Sequence, residues 1–186
     1  MKKTIFFIAV ATLCLFFRGF GQTNHLPGKD QLDVGDRVPD LVFKTILNGD
    51  KKALTLSALK GKAVILDFWA TWCSVCIKGF PKMNALQEKY NRILQVILVA
   101  DSQSDSEQKV SKFVMDREDT ADALVLPVAY NDSLTKVLFP HLAFPHYVWI
   151  GADRKVKAIT RWDAFTEENV SAFLAGRDLF IKKKEL

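Results

Sequence analysis

The sequence is poor in the residues from which metal sites and disulfide frameworks are built, since its 186 residues include only three cysteines and three histidines. Structural zinc sites need four ligands, mostly cysteine or histidine, and the chain has no second Cys-x-x-Cys to pair with Cys73 and Cys76. Zinc would have to recruit His141 and His146. We therefore expect no metal, and a metal-holding role stays as an alternative.

Long apolar runs are also scarce, because no run reaches the about 20 residues needed to cross a membrane. The run at residues 5–17 follows a short basic start, closes at Arg18 and is followed by small residues. This pattern is typical of a secretory signal peptide. We predict a signal peptide at residues 1–21, cleaved near Gly21, and a polar linker at 22–33.

Signal removal would make the protein exported, most simply periplasmic, with no stable membrane span. A membrane-anchored form is the alternative. Lipidation is less favoured because Cys14 lies in the middle of the apolar run, where a lipid acceptor is not expected.

Basic and acidic residues are nearly balanced once the predicted signal peptide is removed. Losing Lys2, Lys3 and Arg18 from the 26 basic residues leaves 23 against 21 acidic residues. This balance argues against a nucleic-acid partner. The part that remains has the length of one domain, predicted at residues 34–176, with a charged C-terminal tail at 177–186.

Strand and helix patterns alternate along this domain. Predicted strands lie at 63–69, 93–100, 124–128, 144–150 and 155–160. Predicted helices lie at 73–90, from 104 onward, at 133–138 and from 166 onward. Segments 40–47 and 52–56 predict a β-hairpin turned at Asn48-Gly49, and the spacing of Ser104 and Glu107 predicts a capping box. The order predicts an α/β fold with a central mixed sheet flanked by helices and an N-terminal hairpin extension.

The two mature cysteines, Cys73 and Cys76, are three residues apart and follow an apolar strand directly. A bridge over so short a loop removes little unfolded-state entropy, so chemistry explains it better than stability does. Backbone N–H groups at a helix start favour the Cys73 thiolate, and Cys76, one turn later, is placed to attack a mixed disulfide. The pattern predicts a dithiol that cycles with a disulfide.

The run from Asp67 to Cys76, Asp-Phe-Trp-Ala-Thr-Trp-Cys-Ser-Val-Cys, resembles the active-site segment of thioredoxins, especially of the exported TlpA/ResA-like thiol-disulfide oxidoreductases. The similarity extends over residues 34–176, and Phe144-Pro145 matches the family's cis-proline. It implies a thioredoxin-like fold and the activity of a protein-disulfide reductase. A peroxidase is disfavoured because Ala70 stands where peroxiredoxins place a threonine.

The resemblance implies a role for each matching residue. Cys73 would be the attacking cysteine and Cys76 the resolving one. Asp67 matches a buried acid whose pKa burial should raise, so that it can accept and return the Cys76 proton.

The same resemblance points to a peptide-binding surface. Pro145, if cis, would place backbone beside the outer cysteine. Phe144 would pair with a bound peptide, and Trp72 would form part of an apolar collar. His146 follows where the family often has threonine, and its position stays open between the sulfurs and the outer surface.

The family further implies partners. These are cysteine-containing exported proteins, which could include apocytochromes c, and a membrane thiol-reducing electron carrier. No cofactor is expected. Ser74-Val75 replaces the Gly-Pro of thioredoxins, and residues between the two cysteines tune the redox potential. An oxidase, an isomerase or a non-catalytic binding module therefore stay as alternatives.

Overall fold

The computed structural model describes residues 31–48, 53–120, 123–130 and 132–177. The predicted signal peptide, most of the predicted linker, the Gly49 turn position and residues 178–186 lie outside the described residues.

The described residues form strands, α-helices and two short 3₁₀ turns in an alternating order. The strands are β1 (Val42–Phe43), β2 (Leu54–Thr55), β3 (Ala63–Trp69), β4 (Leu94–Ala100), β5 (Val128–Tyr130), β6 (His146–Ile150) and β7 (Val156–Thr160). The helices are α1 (Ser74–Lys89), α2 (Glu107–Met115), α3 (Ser133–Leu138) and α4 (Glu167–Leu174), with the 3₁₀ turns at Ser57–Leu59 and Trp162–Ala164.

Five of the strands form one mixed sheet in the order β5-β4-β3-β6-β7. β3 pairs in parallel with β4 and antiparallel with β6, so it is the central strand. Every residue of β3 is buried, which explains its almost unbroken apolar sequence. β1 and β2 form a separate two-stranded sheet. The predicted thioredoxin-like α/β fold with an N-terminal β extension is confirmed.

The central sheet buries a hydrophobic cluster on each face. Alternate β3 residues divide between them, with Ile65 and Trp69 in one cluster and Leu66 and Phe68 in the other. The first cluster also holds both cysteines and the buried face of α1. The redox helix is therefore packed against the side of β3 that carries Asp67.

The predicted hairpin is only partly right. β1 and β2 pair antiparallel over two residues, and the chain after β1 then moves to the edge of the large sheet, where Ile46 bridges Ala129. Asn48 explains the departure. Its side-chain amide donates to the carbonyls of Leu124 and Leu126 at 2.9 and 2.7 Å, and its oxygen accepts the Val128 N–H at 2.8 Å.

These hydrogen bonds also correct the strand predicted at 124–128. β5 begins only at Val128, because the carbonyls of Leu124 and Leu126 bond to the Asn48 side chain instead of to a neighbouring strand. A side chain predicted to turn a hairpin thus holds a loop 76 to 80 residues further along the chain.

The helix predicted from Ser104 begins later, at Glu107, with the Ser106 hydroxyl accepting the Lys109 N–H at 3.2 Å as its cap. Ser104 and Asp105 do not cap it, since their side chains bond to the loop before the cysteines. Elsewhere the helix boundaries agree closely with prediction. α1 contains Pro81, α3 occupies residues 133–138, and Thr166 caps α4.

Candidate active site

The two mature cysteines are joined by a disulfide at the start of the longest described helix. Cys73 is the N-cap of α1, and Cys76 lies one turn inside it, with 5.3 Å between their Cα atoms. The outer residue, Cys73, keeps 6% of its surface exposed and Cys76 keeps none. Cys73 is therefore the outer residue of the pair and Cys76 the inner one.

The helix start provides a donor to the outer sulfur. The backbone N–H of Cys76 donates to Cys73 Sγ at 3.2 Å, in the place where a serine or aspartate oxygen usually caps a helix. In the reduced protein this N–H and the positive end of the helix dipole would favour the Cys73 thiolate. Cys76 has no equivalent position, because it lies within the helix.

Asp67 is fully buried in β3, on the face of the sheet that carries the cysteines. Neither carboxylate oxygen has a hydrogen-bond partner among the described residues. Burial without partners disfavours the charged form and raises the pKa of Asp67 well above its ordinary value, as expected from its place in an apolar strand.

Tyr147 lies opposite Asp67 in the antiparallel β3–β6 pair, so both side chains are on the same face. Burial, together with the nearby Asp67 charge, raises the pKa of Tyr147 above its ordinary value. The phenol is therefore neutral at physiological pH.

His146 lies opposite Phe68 and consequently belongs to the other face of the sheet. Its side chain is buried, stacks on His141 with 4.8 Å between ring centroids, and meets the Phe68 ring edge-on. The position left open by the sequence is thus neither at the sulfurs nor at the outer surface.

The predicted peptide-binding residues come together beside the disulfide. The Phe144–Pro145 peptide bond is cis, and the Phe144 ring meets the Trp72 ring edge-on at 5.7 Å. Trp72 is 59% exposed, whereas Trp69 is fully buried against Phe80. Trp72 and Phe144 form an aromatic surface next to Cys73, and Trp69 belongs to the core.

A second acid near the cysteines was missed by the sequence analysis as a site residue. The buried Asp105 carboxylate accepts the Thr71 N–H at 2.8 Å and the Thr71 hydroxyl at 2.6 Å, and it pairs with Lys109 Nζ at 2.7 Å. Burial would raise its pKa, but the hydrogen bonds from Lys109 and Thr71 outweigh burial and hold the pKa of Asp105 below its ordinary value.

Two serines extend these contacts to Trp72, whose indole Nε1 donates to Ser104 Oγ at 2.8 Å and lies 3.3 Å from Ser102 Oγ. A polar cluster Ser-x-Ser-Asp directly after a buried strand was the available sequence signal. It is equally typical of a helix start, and it therefore predicts a capping box and not an active-site contact.

The residues described by the structure contain no group of three or more His, Cys, Asp or Glu side chains able to hold a metal ion. His141 and His146 do lie together, but on the sheet face opposite the cysteines, and the two sulfurs are bonded to each other. This arrangement does not fit the alternative of a zinc site built from the four residues.

A disulfide at the N-terminus of a helix, a buried acid on the sheet face that the helix covers, and a cis-proline next to the ring that packs on Trp72 define, on this mixed sheet, a thioredoxin-fold thiol-disulfide oxidoreductase. Residues 33–174 match the model of the Redoxin family, and the chain belongs to that family.

The chain is similar to known enzymes of this class. It is 34% identical over 141 residues to the thiol-disulfide oxidoreductase ResA of Bacillus cereus, covering 74% of this chain and 76% of that protein. It is 36% identical over 116 residues to ResA of Bacillus subtilis, covering 61% and 63% of the two chains. The protein is accordingly an enzyme, a ResA-like thiol-disulfide oxidoreductase.

Solved structures show the same fold. A thiol:disulfide interchange protein DsbE from Chlorobium tepidum, assigned as putative, superposes with a TM-score of 0.61 at 27% identity, covering 77% of this chain and 99% of that one. Within the described residues, no helix combines the length and the apolar character needed to cross a membrane.

Proposed function

We propose that this protein is an exported reductase that opens disulfides in other exported proteins through a Cys73/Cys76 dithiol-disulfide cycle. The observation that carries the proposal is the hydrogen bond from the Cys76 N–H to Cys73 Sγ, with the cysteine pair closed as a disulfide at the start of α1. It supports an ionised outer sulfur in the reduced state, and the thiolate is the nucleophile in disulfide exchange.

In the first step, the Cys73 thiolate attacks one sulfur of a client disulfide. A bond forms between Cys73 and the client, the client S–S bond breaks, and the second client sulfur leaves as a thiolate. The aromatic surface of Trp72 and Phe144 and the backbone at Pro145 support an extended client segment beside the outer sulfur.

In the second step, Cys76 loses its proton and its sulfur attacks Cys73 Sγ. The mixed disulfide breaks, the client leaves with both sulfurs reduced, and the Cys73–Cys76 disulfide forms, so two electrons pass to the client. We propose that Asp67 accepts the Cys76 proton. Its burial on the cysteine face and its raised pKa support this role, because a base is most effective when its pKa lies near the working pH.

The cycle needs an external dithiol to reduce the Cys73–Cys76 disulfide again. We propose a membrane thiol-reducing electron carrier as the donor. The proposed clients are cysteine-containing exported proteins, with the haem-binding cysteines of apocytochromes c as one candidate. The similarity to ResA proteins supports this class of substrate.

Export itself rests on the predicted signal peptide. N-terminal sequencing of the protein after expression with its leader tests it, and a mature chain beginning near residue 22 is expected. A chain that keeps residues 1–21 would favour the anchored form.

Insulin reduction with dithiothreitol as donor tests the activity. We expect turnover by the wild type and none above background by Cys73→Ser, because the nucleophile is gone. Equal rates for both proteins would contradict the enzymatic cycle.

Trapping tests the two cysteine roles. Cys76→Ser should accumulate mixed disulfides through Cys73, since the resolving attack is blocked. If partners instead attach through Cys76 in Cys73→Ser, the assignment of attacking and resolving sulfurs is reversed.

Equilibration with glutathione tests the direction. A potential well below that of the glutathione couple is expected of a reductase. A potential well above it would identify an oxidase, the alternative direction for the same cysteine pair.

A further inference from the structure

A hydrogen-bonded loop holds the residues just before the cysteines from the side of β4. The loop is Ser102 to Asp105, and its target is Thr71-Trp72. The Asp105 carboxylate accepts hydrogen bonds from the Thr71 N–H and hydroxyl, and the Ser104 hydroxyl accepts one from the Trp72 indole N–H. The contacts join segments 32 to 34 residues apart in sequence, so they fix one loop against another and do not stabilise a local turn.

Asp105 is itself firmly fixed. Its side chain is fully buried, Lys109 pairs with it from the next helical turn, and the Tyr130 hydroxyl donates to its backbone carbonyl at 3.3 Å. A buried carboxylate with three donors holds its position more strongly than an exposed one, because charge-assisted hydrogen bonds are about twice as strong as neutral ones. Thr71 is therefore bound to a rigid anchor.

The position of Thr71 decides the geometry of the outer sulfur. The Cys73 N–H donates to the Ala70 carbonyl at 3.0 Å, so residues 70–73 form one turn leading into α1. Cys73 Sγ must remain over the helix start to receive the Cys76 N–H. If the turn loosens at Thr71, the sulfur loses alignment with the donor that would stabilise its thiolate.

We propose that Asp105 is a positioning residue of the redox site, which fixes the Thr71 turn and so keeps the Cys73 sulfur over the N-terminus of α1. This role rests on the proposed Cys73 nucleophile. The hydrogen bonds from Thr71 to Asp105 would lower the pKa of Cys73, because they keep its sulfur aligned with the helix start. The negative charge of Asp105 would raise the same pKa.

The two effects predict opposite results for Asp105→Asn. Removing a nearby negative charge favours a thiolate and would lower the pKa of Cys73. Loosening the turn removes a stabilising donor and would raise that pKa. A raised Cys73 pKa also makes the Cys73–Cys76 disulfide a weaker oxidant, because the reduced state loses the stabilisation of its thiolate.

The experiment measures the Cys73 pKa by thiolate absorbance and the equilibrium constant with glutathione. For Asp105→Asn we expect a raised pKa and an equilibrium constant changed by about tenfold towards the disulfide, which corresponds to about 30 mV. Both readouts use only the protein and a small thiol, so a failure to reduce insulin or any client does not affect them.

Two matched variants separate hydrogen bonding from charge. Thr71→Val removes one donor to Asp105 without changing any charge and should shift the pKa in the same direction, whereas Thr71→Ser keeps the hydroxyl and should behave like the wild type. In the double variant Asp105→Asn with Thr71→Val, the shift of the Cys73 pKa should be smaller than the sum of the two single shifts, because both changes act on the same contact.

The proposal is overturned by either of two results. A lowered Cys73 pKa in Asp105→Asn would show that charge dominates. An unchanged pKa and equilibrium constant, in a protein that is folded by near-ultraviolet circular dichroism, would show that Asp105 only supports the fold. If Asp105→Asn does not fold, Thr71→Val and Thr71→Ser carry the test by the same criteria.

Discussion

Two buried aspartates belong to the segments around the cysteines, Asp67 in β3 and Asp105 against Thr71, and they differ in their partners. Asp67 has no hydrogen-bond partner among the described residues, and burial raises its pKa. Asp105 is also buried, but Thr71 and Lys109 supply three donors, and its pKa is lowered. Burial thus raises the pKa of one aspartate, while hydrogen bonds and an ion pair lower that of the other.

The comparison shows that burial alone does not set the charge of an acid. Burial without hydrogen-bond partners disfavours the ionised form of a carboxylate, because that form loses its hydration. Donors at hydrogen-bond distance compensate this desolvation cost and favour the ionised form. A group whose pKa is raised by burial can exchange a proton during a reaction, as proposed for Asp67. A hydrogen-bonded group with a lowered pKa serves to fix geometry, as proposed for Asp105.

The largest expected effect is a slower release of the client in Asp67→Asn. Asp67→Asn keeps the size and removes the base, so release of the client from the mixed disulfide should slow by about 10²-fold, within the usual range for general-base catalysis. Stopped-flow measurement of mixed-disulfide decay with a model disulfide tests this. Attack by Cys73 should be little changed, and an unaltered decay rate would remove Asp67 from the mechanism.

The next effect is on stability at Asp105. Asp105→Asn should lower the free energy of unfolding by about 2 kcal/mol near neutral pH, because hydrogen bonds to a charged group are lost. The folded-state pKa is lowered, so this stability is present above the unfolded pKa and is lost as pH falls through the folded pKa.

Urea unfolding of the oxidised wild type and Asp105→Asn, near neutral pH and in acid, measures this effect. The difference between the two proteins should shrink in acid. A difference that grows on acidification would contradict the assigned charge of Asp105.

The fold and the Asp67 side of the site could be predicted from sequence because local patterns carry them. A continuous apolar strand with one acid, followed by Cys-x-x-Cys, fixes the order of strand, sulfur and helix. Alternation along β3 then places Asp67 and Trp69 on one face.

The Asp105 side could not be predicted, because its contacts are long-range and compete with a local alternative. Ser104, Asp105 and Ser106 all suit a helix N-cap, and only the packed structure decides that Ser106 caps α2 while the other two bind the active-site loop. The side-chain contacts of Asn48 could not be predicted for the same reason, since its turn preference is local and these partners lie beyond residue 123.

A smaller effect is expected on stability at Asp67. The folded-state pKa is raised, so above the unfolded pKa the unfolded chain ionises while the folded protein keeps its proton, and stability falls as pH rises towards the folded pKa. Asp67→Asn removes this loss. It should raise the free energy of unfolding near neutral pH by on the order of 1 kcal/mol, with little gain in acid.

The same urea titration of the oxidised proteins measures the Asp67 effect. Its sign near neutral pH is opposite to that at Asp105, which makes each variant the control for the other. A destabilised Asp67→Asn near neutral pH would indicate that the carboxylate is charged and has partners in the folded protein.

The smallest effect is expected at Lys109, and it tests which partner matters to Asp105. Lys109 is 48% exposed, so solvent and salt screen its pair with Asp105, and Lys109→Gln should cost under about 1 kcal/mol, less at high salt. Thr71 would still donate both hydrogen bonds. Urea unfolding at low and high salt measures the cost. A loss as large as that of Asp105→Asn would mean that the lysine, and not Thr71, holds the carboxylate charged, and the contrast between the two aspartates would then depend on one ion pair.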